Sequence, residues 1–280
     1  MYTRRAVVAG GLLAVALGAT AAVAATRADH GGTLTVRRVP AAVQPVAAPV
    51  PVPKAAPAPP GLPTISYWHA APGLAHDPAA HSVAAVVEGL RPHGKVAVYD
   101  APGGKPRAFL PRTISGLPVT APIVGKRPGW LAVLIPSINR RIGWVPSSSG
   151  AVRPLRDQLV VDLSRRRLTW LRDGRQRGHW KVAVGSSRTP TPLGRTFVMG
   201  RTITHGSVYA GLDALVLGAV PDDRDALSAS LRNGHTAIHA WRDESAFGRS
   251  VSNGCVRVPP DVQRLLLRHL PEGVPVSVVE

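Results

Sequence analysis

From residue 83 onward the apolar residues come in bursts of about five, each closed by glycine or proline. A helical bundle would need an apolar stripe sustained over several turns, so this rhythm excludes one. The bursts fall at 83–87, 95–99, 108–110, 130–135 and 142–145. Asp100-Ala101-Pro102-Gly103-Gly104 and Lys126-Arg127-Pro128-Gly129 separate them as turns, glycine supplying positive φ and proline pre-setting its own. With 28 glycines and 28 prolines in 280 residues, turn-formers are abundant throughout. Strands this short predict a small antiparallel barrel or sandwich over 82–150. Trp130, Trp144 and Tyr99 are read as its core, with a ligand face as the rival reading.

A second β unit is expected over 157–280. Residues 159–163 and 167–171 alternate, Asp173-Gly174 makes a tight turn, and 179–184 completes a hairpin. Further strands are read at 208–209 and 236–239. Val262, Leu265, Leu266 and Leu270 follow Pro259-Pro260-Asp261 at helical spacing, and Pro271-Glu272-Gly273 stops that helix. Residues 274–279 form a closing strand. The fold expected is mostly β, with one helix near the C-terminal end.

The first 25 residues read as an export signal. Arg4-Arg5 precede an apolar run from Ala6 to Ala25, and Ala22-Val23-Ala24 supplies a small-x-small cleavage motif. Thr3-Arg4-Arg5 resembles the twin-arginine variant, and the run is also long enough for an uncleaved anchor. Residues 26–81 are read as a Pro/Ala-rich linker. Its 39–63 stretch carries Lys54 as its only charge and favours extended polyproline conformation, as a semi-rigid spacer does. The net charge of +18 fits an anionic partner. Export directs that reading to cell-wall polymers or a membrane surface rather than nucleic acid.

Cys255 is the only cysteine, which excludes an internal disulfide and a multi-cysteine zinc frame. It sits in Ser252-Asn253-Gly254-Cys255-Val256-Arg257, polar and turn-forming surroundings that suit an accessible nucleophile better than a buried thiol. A thiol needs a base or a positive field to attack a carbonyl. His239, sixteen residues upstream at the end of an expected strand, is the best base, with a histidine pKa near neutrality. His235 and His239 are spaced like two metal ligands, but the glutamate of H-E-x-x-H is missing and the intervening residues favour a strand.

His239, the loop after it and the Ser252–Arg257 motif resemble the active-site signature of the YkuD-type L,D-transpeptidase catalytic domain. The likeness includes Val161-Asp162-Leu163-Ser164, Thr189-Pro190-Thr191-Pro192-Leu193-Gly194 and the Gly-Val-Pro-Val ending. Asn253 stands where the family usually has histidine. Gly129-Trp130-Leu131-Ala132-Val133 with Gly143-Trp144-Val145-Pro146 resembles the end of a bacterial SH3-like domain. The resemblance implies a β-sandwich with one helix behind a small SH3-like β-barrel, in an exported enzyme of the cell envelope. It implies that Cys255 attacks the stem-peptide carbonyl of a donor tetrapeptide and that His239 is the base. An acceptor amine would then resolve the thioester into a 3-3 cross-link. Gly254 and Cys255 N–H groups would receive the oxyanion, Ser252 would support the loop, and Arg257 and Asn253 would contact substrate. No cofactor or metal is called for. A stem-peptide carboxypeptidase and a non-catalytic wall-binding protein are the alternatives.

Overall fold

Phe197, Val198 and Met199 are each 1% exposed, and the strand that carries them decides how the chain is layered. Three consecutive buried apolar residues must lie in a strand covered on both faces, because successive side chains point to opposite sides. Phe197 and Met199 join one hydrophobic core, and Val198 joins a second.

The computed structural model describes residues 51–66, 68–137, 140–218 and 234–280. The export signal and the linker up to residue 50 lie outside the described residues. The strands of the first half are β1 (Ala75–His76), β2 (Glu88–Pro92), β3 (Val96–Tyr99), β4 (Pro106–Leu110), β5 (Thr113–Ile114), β6 (Leu117–Pro118), β7 (Ala121–Arg127), β8 (Trp130–Leu134), β9 (Arg141–Pro146) and β10 (Gly150–Pro154). Seven of them pair in the order β10-β2-β7-β8-β9-β3-β4, with β1 added beside β9. Trp130 and Tyr99 are buried here at 1% and 4% exposure, whereas Trp144 is half-buried.

The second half supplies β11 (Asp157–Asp162), β12 (Arg167–Arg172), β13 (Arg175–Lys181), β14 (Val184–Gly185), β15 (Gly194–Thr202), β16 (Ala214–Leu217), β17 (Ala237–Ala240), β18 (Ser250–Ser252), β19 (Val256–Val258), helix α1 (Pro260–His269) and β20 (Pro275–Val279). Their main sheet runs β13-β12-β11-β20-β15-β16-β17-β19, parallel at β11–β20 and β17–β19. The helix begins with proline, where a missing N–H costs nothing, and buries Val262 and Leu266. Its buried Gln263 donates to the carbonyls of Asp213 (2.7 Å) and Ile238 (3.2 Å), which fixes the helix against β17.

Among the described residues the chain is mostly β with one α-helix, the fold expected from the sequence. Two details differ. Residues 208–209 belong to a short 3-10 turn, Ser207–Tyr209, between glycines 206 and 211 with positive φ; the strand lies further on, at β16. The segment from Pro51 to residue 81 also does not run as a free spacer. Ile65 N–H donates to the Phe109 carbonyl and Phe109 N–H to the Pro63 carbonyl, both at 2.8 Å, and Asp77 accepts from Arg195 Nε and a terminal nitrogen at 2.7 and 2.6 Å. Polar side chains at these positions find buried partners that composition alone does not announce. Residues 51–280 form one compact unit.

The Asp77–Arg195 pair is almost solvent-free, with side chains 5% and 9% exposed. Removing one partner strands a buried charge, so Asp77→Ala should cost about 3–5 kcal/mol in urea-unfolding experiments. Asp173→Ala, which breaks the exposed bidentate pair with Arg156, should leave the urea midpoint nearly unchanged.

Candidate active site

The parallel pairing of β17 with β19 sets His239 opposite Arg257 and Ile238 opposite Val256. Ile238 and Val256 are fully buried on the core side, so His239 and Arg257 share the other face. Cys255 precedes β19 directly. The loop before it is tied down from two sides. Ser252 Oγ donates to the Cys255 carbonyl and accepts from the Gly254 N–H at 3.2 Å. The Ser252 carbonyl in turn accepts from Ser186 N–H and from Thr189 Oγ1, both at 3.0 Å.

His239 is 7% exposed, and its Nδ1 lies 2.9 Å from the Ala240 carbonyl. A carbonyl only accepts, so the proton is on Nδ1 and the Nε2 lone pair is available. Burial, reinforced by the Arg257 charge and opposed by that hydrogen bond, pushes the imidazole down to about 4. This departs from the near-neutral value expected from sequence, because burial in the strand disfavours the cation.

Cys255 Sγ donates to the His235 carbonyl at 3.7 Å; no hydrogen bond joins it to the His239 ring. Burial pushes its thiol up, while the Ala237 N–H and the Arg257 charge favour the thiolate. Near neutral pH the pair therefore rests as thiol and imidazole rather than as an ion pair.

Arg257 lies over the Trp241 ring, with its guanidinium carbon 3.6 Å from the ring centroid. Its buried Nε has no hydrogen-bond partner among the described residues. Tyr209 and Trp241 meet His239 edge-on at 5.0 and 6.0 Å, which shields one flank of the imidazole. Asn253 is exposed at the loop tip, without a hydrogen bond among the described residues. Gly254, at φ +102°, makes the bend, and its N–H donates to Ser252 Oγ.

The structure thus gathers Cys255, His239, Ser252, Gly254 and Arg257 in one place and leaves Asn253 at its rim. Sequence reading missed Tyr209, Trp241, Thr189 and Trp68. The Trp68 ring packs 4.7 Å from that of His235, the residue whose carbonyl holds the thiol. Threonines in the Thr-Pro-Thr-Pro run were a legible signal; Trp68, remote in sequence, was not.

The family model of the YkuD L,D-transpeptidase catalytic domain matches residues 156–278. These residues are a YkuD L,D-transpeptidase catalytic domain. Among solved structures, Mycobacterium tuberculosis L,D-transpeptidase 3 with a faropenem-derived adduct is 17% identical, with TM-score 0.37, over 51% of this chain and 74% of that one. The Enterococcus faecium L,D-transpeptidase is 20% identical, with TM-score 0.33, over 46% and 55%. An L,D-transpeptidase from Stackebrandtia nassauensis is 20% identical, with TM-score 0.33, over 44% and 55%. The search of curated proteins finds no match.

Two outcomes are expected of this YkuD domain. Acylation of Cys255 by an activated ester should stay level from about pH 8 down to about 5 and fall only as His239 protonates near 4, a profile measured by stopped-flow with intact-mass detection. A midpoint near 6.5 would contradict the buried neutral imidazole. Trp68→Ala should slow acylation about tenfold to a hundredfold by loosening the His235 carbonyl, with Trp68→Phe restoring most of the rate.

Proposed function

We propose that the domain cross-links peptidoglycan stems as a cysteine L,D-transpeptidase in the cell envelope. The observation that carries the reading is the Nδ1 contact to the Ala240 carbonyl, which leaves the Nε2 lone pair free to act as a base on the strand paired with the one that Cys255 precedes. In the proposed first step the thiol leaves the His235 carbonyl and gives its proton to Nε2. Sγ then bonds to the stem-peptide carbonyl carbon, and the C–N bond to the terminal residue breaks. The imidazolium returns its proton to the departing amine. The amine of a second stem attacks the thioester, loses its proton to Nε2, and displaces the thiolate to form a 3-3 link. Splitting one transfer into two is the gain from the covalent intermediate.

With the Gly254 N–H engaged, the Cys255 N–H is the donor for the developing oxyanion. Arg257, with its unpaired buried Nε, suits a donor carboxylate, which its planar guanidinium can grip. Asn253, at the exposed tip, is placed for acceptor contacts. The N-terminal signal delivers the chain outside the cytoplasm. The β2–β10 strands serve as an SH3-like module, and exposed Arg167, Arg177 and Lys181 suit anionic wall polymers.

Incubating the purified protein with a disaccharide-tetrapeptide, with and without an acceptor stem, separates transfer from hydrolysis by product mass. Cys255→Ala should abolish both the products and the covalent adduct with a carbapenem. His239→Ala should lower acylation by about two to four orders of magnitude. Hydrolysis alone in the presence of acceptor would replace the transferase reading with a carboxypeptidase.

A further inference from the structure

Two strands hold the ends of the loop that carries Cys255. Strand β18 pairs in parallel with β14, and its Ser252 carbonyl accepts from the Ser186 N–H and from Thr189 Oγ1. Strand β19 pairs with β17, and its Arg257 exchanges two backbone hydrogen bonds with Ala183, at 2.8 and 3.0 Å. Only residues 253–255 connect β18 to β19, so the thiol stands at the end of a short link fixed on both sides.

The first two residues of that link are Asn253 and Gly254. An asparagine followed by glycine is the pair most prone to imide formation. No Cβ on the second residue hinders attack by its backbone nitrogen on the side-chain amide. The local geometry serves that attack. Asn253 is exposed, and no hydrogen bond among the described residues holds its amide away from the backbone. Gly254 is buried, and its N–H donates to Ser252 Oγ at 3.2 Å. That hydroxyl donates in turn to the Cys255 carbonyl, which strengthens it as an acceptor for the N–H. The attacking nitrogen is thus held still with its N–H polarised, while the leaving group opens to water.

We propose that Asn253-Gly254 is a self-modification site whose deamidation inactivates the Cys255 thiol. The Gly254 nitrogen bonds to Asn253 Cγ, the Cγ–Nδ2 bond breaks, and the Gly254 amide proton leaves with Nδ2 as ammonia. Water then adds to one of the two carbonyls of the resulting cyclic imide. Opening at Cγ leaves aspartate; opening at the main-chain carbonyl leaves isoaspartate, with the chain routed through the side-chain carbons. The inactivation rests on reading Cys255 as the nucleophile, and each product bears on it. The imide takes the Gly254 N–H away from Ser252. Isoaspartate lengthens the link by one main-chain atom, about 1.5 Å, which fixed ends cannot absorb without moving Cys255. Either carboxylate stands two residues from the sulfur and opposes the thiolate that the Arg257 charge favours. The histidine usual here in the family has no side-chain amide and cannot follow this path.

The full-length protein is aged in mildly alkaline and in mildly acidic buffer, then followed by intact mass, peptide mapping and acylation by an activated ester. In alkaline buffer the Asn253 peptide should lose the mass of ammonia and then settle one mass unit above its start, with isoaspartyl methyltransferase labelling it. Acylation should fall in proportion to the modified fraction, while the acid-aged sample keeps its rate. Asn253→Gln, whose imide needs a larger and slower-closing ring, should hold its own starting rate through the same interval. An unchanged melting temperature excludes unfolding as the cause of any loss. Asn233-Gly234 is the other such pair in the sequence, and mapping separates the two. Asn253 left intact in alkaline buffer would overturn the site, whatever happens at Asn233. Full conversion of Asn253 with acylation unchanged would overturn the inactivation, as would an equal loss of rate in Asn253→Gln. Fresh protein that never acylates at Cys255 would instead refute the nucleophile reading, because mass alone still reports the modification.

Discussion

The pairing on which the catalytic end depends is parallel, between Ala237–Ala240 and Val256–Val258. Parallel neighbours cannot be joined by a tight hairpin; the chain must cross over, and a dozen or more residues are needed. Here the crossover is 241–255, and it delivers Cys255 at its last position, next to the strand that carries His239. One pairing therefore brings Cys255 and His239 together although they stand sixteen positions apart in the chain. Gln263 secures the same strand from behind through the Ile238 carbonyl, so the helix contributes to the site without touching it.

The same burial that makes the pairing firm sets the charge state. Ile238 and Val256 exclude water from one face of the pair, and Tyr209 and Trp241 cover part of the other. A cation on His239 loses hydration there and also faces Arg257, so the neutral ring is favoured. The thiol loses hydration as well, and what the Ala237 N–H and Arg257 offer its anion does not outweigh that loss. Such a pair stores no ion pair in the resting state. In the transfer proposed above, charge would develop only when a carbonyl arrives to receive the sulfur, which is when fixed donors would act on it.

Much of this was legible in the sequence, and the reasons are particular. The helix was readable because Val262, Leu265, Leu266 and Leu270 keep a 3.6-residue period behind a proline. Cys255 was readable because it has no partner cysteine and sits among Ser, Asn and Gly. Strand Gly194–Thr202 was not, because covering on both faces removes alternation, and Arg195 and Arg201 interrupt what remains. The 3-10 turn at Ser207–Tyr209 looked like strand from Val208 and Tyr209 alone, since β-propensity reports fit to a sheet rather than a backbone preference. Trp68, Trp241 and the hydrogen-bonding of Gly254 depend on which loops meet, and no local pattern encodes that.

Strand Gly194–Thr202 also explains why the N-terminal half matters to the site. Its Phe197 and Met199 complete the core under the first sheet, while Val198 belongs to the core of the second. Arg195 on the same strand holds Asp77. Within residues 51–81, Trp68 consequently lies between two anchors, the backbone bond of Ile65 to Phe109 and this ion pair. A side chain suspended between two fixed points can bear on His235 reproducibly, which a side chain on a free spacer could not. The Trp68–His235 contact is thus a product of the layering, and the thiol's position inherits its order from residues nearly two hundred positions upstream.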